Sequence, residues 1–167
     1  PDVDQYIPFW RTICTAEALA EHKSFYPSRR DDYGPYFREW LDIGSGVSGV
    51  DYVEANNQRH ECNGLIRSAM QGIDVIACPS TIGPAHPITM EQMYGPIDKN
   101  RDPSYQRFTV PYDYNGYPTL SVPCGLNGEG LPLSLQFVGH PLSEALLCRV
   151  GHAYESFTTW FLMHPSM

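Results

Sequence analysis

Asn115-Gly116-Tyr117-Pro118-Thr119-Leu120-Ser121-Val122-Pro123-Cys124-Gly125, followed by Gly130-Leu131-Pro132-Leu133-Ser134-Leu135-Gln136-Phe137-Val138-Gly139, holds two short apolar runs between Gly and Pro boundaries. Such runs are too short for stable helices and are bounded as strands are, which predicts strands over 119–124 and 133–138 joined across 125–132. Successive side chains of a strand alternate between faces. Leu133, Leu135 and Phe137 therefore share one face, and Ser134 and Gln136 point to the other.

Upstream, Ile73-Asp74-Val75-Ile76-Ala77-Cys78 is a third apolar, β-branched run, stopped by Pro79. It reads as a strand over 73–78 buried on both faces. The stretch 79–118 between these strands is rich in Pro, Gly and Tyr and has little periodicity. A loop of that length is either functional or a sign that partner structure lies elsewhere.

Downstream, Ser143 stands where a helix N-cap belongs and Glu144 suits the positive helix end. Leu146, Leu147, Val150, Ala153, Tyr154 and Phe157 complete an amphipathic helix over 143–159. The N-terminal portion reads as helical over 8–71 in three pieces. Phe9, Trp10, Ile13 and Ala16 mark the first, over 8–25; the second, over 36–43, ends at Gly44, a usual C-cap choice. Past the link at 44–49, Val53, Cys62, Leu65, Ile66, Ala69 and Met70 form the inward stripe of a helix over 50–71. Three strands alone would leave sheet edges and an apolar face exposed, so the sheet is expected to be completed by chain outside this sequence.

The 167 residues, 42% of them hydrophobic, suffice for one domain-sized core. Eleven Lys and Arg against nineteen Asp and Glu leave a net charge of −8, which repels phosphate backbones. With no basic stripe interleaved with aromatics, nucleic acid is not expected as a partner. Cys14, Cys62, Cys78, Cys124 and Cys148 form no CxxC pair and are read as free thiols in a reducing, cytoplasmic compartment. No apolar run approaches the roughly twenty residues of a membrane span, so no membrane partner is expected. The sequence opens on Pro1 rather than Met and is read as a fragment or processed product.

Motif chemistry is sparse. There is no GxSxG elbow, phosphate-binding loop, HExxH pair or dinucleotide fingerprint. Gly44-Ser45-Gly46-Val47-Ser48-Gly49 looks like a serine-nucleophile loop, but no base is placed beside either hydroxyl and the segment bridges two helices. Cys148 and His152 stand one helical turn apart without a third ligand near, and both fall off the apolar stripe. His60 and Cys62 diverge on their helix, and Cys124 lacks an activating histidine. A Ser-Lys pair needs a desolvated lysine, and both lysines, Lys23 and Lys99, lie in polar surroundings. No catalytic residue, metal ligand or cofactor is assigned within the chain.

The stretches quoted above, together with Asp74-Val75-Ile76, Cys78-Pro79-Ser80, Phe108-Thr109-Val110-Pro111 and Glu144-Ala145-Leu146-Leu147, resemble the C-terminal part of amidase-signature enzymes. A weaker likeness runs from Tyr33-Gly34-Pro35 to Gly44 and through Ala55 and Arg59. The resemblance implies an α/β domain: a large mixed, twisted sheet covered by helices on both faces, with 1–167 as its C-terminal part. It also implies amide hydrolysis by a Ser nucleophile, a bridging cis-Ser and a Lys base. Those three belong to a Gly- and Ser-rich signature that this sequence lacks, so the chain alone is expected to be inactive. Its partner would be the missing N-terminal portion or a second copy of itself.

In relatives this part supplies core strands and pocket wall, which makes 81–117, with Tyr94 and Tyr117, the expected wall. Relatives that use glutamine or asparagine carry an Arg four residues before the glycine matching Gly44, where this sequence has Trp40. They carry an acid three residues before the Thr matching Thr109, where it has Gln106. Those charges would pair with a substrate carboxylate and ammonium. Neutral groups in their place imply a neutral aryl or alkyl carboxamide as substrate, with Trp40 and Gln106 at the pocket. A non-catalytic remnant serving as a binding or assembly module is the rival expectation, and a self-contained thiol or metal hydrolase a third.

Overall fold

A computed structural model describes residues 1–94 and 103–163. Its elements in chain order are α1 (Ile7–His22), α2 (Pro35–Ser45), α3 (Gly49–Ala69), β1 (Val75–Pro79), α4 (Met90–Tyr94), α5 (Val110–Asn115), β2 (Thr119–Leu126), β3 (Pro132–Gly139) and α6 (Glu144–Ser156). Short 3-10 turns stand at Asp4–Tyr6, Arg30–Asp32, Pro103–Gln106 and Trp160–Leu162.

Among the described residues the strands form one antiparallel sheet in the order β1-β3-β2. All three predicted strands are present. Pro123 lies on the edge strand β2, beside a register shift between Pro123 and Gly125, where a missing N–H is tolerated. Alternation along the strands divides the sheet into two faces. Leu120, Val122, Leu135, Phe137 and Val75 pack with Leu147, Val150 and Tyr154 of α6. On the opposite face, Ile76 joins a core built from α1, α3 and α5. Helices thus cover both faces, as the α/β reading requires.

One strand departs from expectation. β1 is an edge here, and Ala77 and Pro79 are exposed rather than buried on both faces. The helix on that side, α6, packs over β2 and β3 instead.

The helices differ from the sequence reading in instructive ways. Gly44 is not a C-cap: it is buried inside α2, where a β-carbon would collide with the Thr15 carbonyl of α1. Its value is close helix approach rather than helix termination. In α3 the buried positions are Ala55, Cys62 and Ile66, with Met70 just beyond, whereas Val53 and Leu65 are 58% and 38% exposed. The inward stripe is therefore rotated from the expected one. α6 ends at Ser156, so Phe157 lies past the helix at 91% exposure. Ser143 occupies the N-cap position, yet its hydroxyl donates to the His140 carbonyl at 2.6 Å and caps no helical amide.

The described residues of 79–118 include two short helices, α4 and α5, where the composition suggests loop. α5 has Pro111 in its first turn and Gly116 at its end with φ +66°, the Pro-first, Gly-last pattern of a helix. Six residues are too few to show a 3.6-residue period, so the segment reads as loop in the sequence.

Candidate functional site

The predicted wall segment is tied to the sheet by polar side chains. Register pairing puts Cys78, Gln136 and Ser121 in one row across β1, β3 and β2, on the face opposite α6. Beyond β1 the chain turns over β3: the Ser80 amide donates to the Ser134 carbonyl at 3.2 Å, and the Ser80 and Ser121 hydroxyls lie 3.0 Å apart. Gln136, buried at 4% exposure, donates through Nε2 to the Phe108 carbonyl at 2.8 Å, with Cys78 Sγ 3.5 Å away. The Tyr112 hydroxyl stands 4.0 Å from the same sulfur, and burial, with Cys78 adding, pushes its pKa upward.

This row is not among the candidates drawn from the sequence. Its signal there is a Gln within the apolar run of β3: a buried amide must find a partner.

The four expected site residues fall as follows. Trp40 stacks on Tyr36 (ring centroids 6.3 Å apart, planes 11° apart) and leans on Trp10 at 5.9 Å. Lost hydration pushes the nearby Asp113 carboxyl above the usual carboxylate range, with the Trp10 indole acting in the opposite direction. Gln106 ends the 3-10 turn packed on α1, and its main-chain carbonyl accepts from the Thr109 amide at 3.0 Å and hydroxyl at 3.2 Å. Tyr117 packs at the edge of the α1–α3–α5 core, with its ring 6.4 Å from His140. Tyr94 is the last residue of α4.

Two hollows are formed by described residues. A hollow of about 340 Å³ is lined by Glu21, His22, Phe25, Arg29, Asp32 and Tyr33. A second, of about 510 Å³, follows the outer face of α3 past Val50, Val53 and Glu61. Trp40, Gln106 and Tyr117 line neither. What Trp40 and Gln106 share is α1, which both segments contact.

In the 44–49 link, the Ser45 hydroxyl donates to the Asp42 carbonyl at 2.6 Å. The Ser48 hydroxyl caps α3, accepting from the Asp51 amide at 3.1 Å and donating to Asp51 Oδ2 at 2.6 Å. Lys23 is exposed, and Lys99 lies outside the described residues. Cys148 and His152 are both exposed, and among the described residues no group of three His, Cys, Asp or Glu is placed to hold a metal ion. No helix among them is long and apolar enough to cross a membrane.

Burial pushes the Cys14 and Cys62 thiols from 9.0 up to about 11, with Glu17 and Asp113 adding at Cys14. Both remain protonated and non-nucleophilic near neutrality. A thiol that binds its proton more tightly when folded supports the fold fully below the unfolded pKa and loses that support as pH rises through the folded one. Unfolding free energy from urea titration is thus expected to fall between pH 9.0 and about 11, and to fall less steeply in Cys62→Ala. An identical slope in the variant would contradict this.

A small antiparallel sheet with helices on both faces is the frame of an α/β fold. The chain belongs to the Amidase family, whose model matches residues 2–148. It is 33% identical over 153 residues to the AmiD protein of Mycobacterium tuberculosis, covering 89% of this chain and 31% of that one. An amidase of Pseudomonas putida is 32% identical over 170 residues, covering 100% and 36%. A glutamyl-tRNA(Gln) amidotransferase component of Cyanothece is 30% identical over 149 residues, covering 84% and 29%. The chain therefore spans about a third of the length of the curated relatives it matches.

Among solved structures, an amidase superposes with a TM-score of 0.79 at 24% identity, covering 94% of this chain and 36% of that one. A bacterial aryl acylamidase of the amidase-signature family gives 0.75 at 19%, covering 97% and 35%. These likenesses carry the fold, and they match this chain to the C-terminal part of such enzymes.

Proposed function

We propose that the chain is the wall-and-core part of an amidase that hydrolyses a neutral aryl or alkyl carboxamide. The Ser, cis-Ser and Lys of the reaction would lie outside it, in an N-terminal portion that completes the sheet beside β1 or β2, the two edges among the described residues. One observation carries the substrate reading. Trp40 stands where glutamine-using relatives have a carboxylate-binding Arg, and it sits among rings, with Tyr36 and Trp10 as neighbours. A buried carboxylate against such a surface would lose its hydration without a compensating ion pair. A neutral aryl or alkyl group loses little there.

The purified 167-residue chain, verified by mass, is expected to hydrolyse no aryl or alkyl amide. Turnover that disappears on mutating a single Ser or Cys of the chain would overturn the assignment.

A further inference from the structure

Gln106 is bracketed by residues fixed to three different parts of the molecule. The Tyr105 hydroxyl donates to the Pro84 carbonyl at 2.9 Å. Arg107 pairs with Asp4 ahead of α1. The Phe108 carbonyl accepts from Gln136 at 2.8 Å. The first two ties draw on loops or part-exposed ions, which constrain position weakly. The third runs from the central strand of the sheet, from a side chain only 4% exposed, whose amide would be costly to leave without a partner. An apolar side chain at 136 would fill the core equally well. Only a donor of this reach fixes the main chain two residues beyond Gln106.

We infer that Gln136 is a positioning residue: through Phe108 it sets the place of the turn that carries Gln106, and with it the acyl-side wall. This rests on the amidase reading above.

The test uses the complete enzyme and Gln136→Met, which keeps the volume and removes the donor. KM for a neutral anilide should rise about tenfold with kcat held within roughly threefold, while KM for an acetamide-sized substrate stays unchanged. Amide hydrogen exchange at 104–110 should quicken by roughly tenfold without change in β3 or α6. Equal losses on both substrates, exchange rising evenly through β3 and α6, or no effect at all would overturn the inference. Should the Met variant fail to fold, Gln136→Asn, whose amide stops a methylene short of Phe108, reads the same split. If the wild-type enzyme turns over no amide, the amidase reading fails by itself, and the exchange pattern alone decides whether Gln136 clamps the turn.

Discussion

In a complete enzyme carrying this segment, kcat/KM for a neutral anilide is expected to exceed that for free glutamine by at least about two orders of magnitude, roughly 3 kcal/mol in differential transition-state binding. The expectation comes from two positions. In the proposed pocket, Trp40, stacked on Tyr36, would replace a carboxylate-gripping guanidinium, and Gln106 would offer no charge for an ammonium. Trp40→Arg with Gln106→Asp should narrow the gap. Because the first change also removes contacts with Tyr36 and Trp10, Tm is measured beside the kinetics, so that lost packing is separated from altered selectivity. A wild-type preference for glutamine, or an unchanged ratio in a folded double variant, would remove both residues from the pocket.

The second large effect is on stability. Met70→Ala is expected to cost about 2–5 kcal/mol, because Met70 is 1% exposed within the core of α1, α3 and α5, and truncation leaves a cavity there. Leu65→Ala, five residues earlier in the same apolar pattern, should cost less than about 1 kcal/mol, since its side chain is 38% exposed. Urea unfolding of both variants gives the comparison. Similar losses would restore the stripe expected from the sequence and contradict the orientation of α3.

That contrast shows where the sequence was legible. The strands were readable because each is a short apolar run closed by Gly or Pro, and both faces of β3 followed from alternation alone. The family likeness was readable from the two Gly-Pro blocks. The long helix was readable as a helix but not in its orientation. Small residues such as Ala55 and Cys62 carry the buried seam of α3, while larger Val53 and Leu65 face outward, so ranking positions by hydrophobicity points the wrong way. Gly44 misled for a related reason: a glycine needed for helix approach looks the same in sequence as one that ends a helix. Trp40 and Gln106 were proposed for the pocket from the family resemblance alone, since no spacing or periodicity in the chain points to them. The Cys78–Gln136–Ser121 row emerges only once register is known, because its members come from three separate strands.

The central claim is that this chain supplies wall and core while the chemistry lies elsewhere, and amide hydrolysis measured before and after the chain is joined to the N-terminal two-thirds of a relative tests it most directly. The Pseudomonas putida amidase, 32% identical over 170 residues, is a suitable donor. The predicted result is no turnover by the chain alone and hydrolysis of a neutral anilide by the chimera, abolished when the lysine that the amidase-signature resemblance implies as base is replaced in the donor portion. Turnover by the chain alone, or a folded chimera whose activity survives that replacement, would contradict the account.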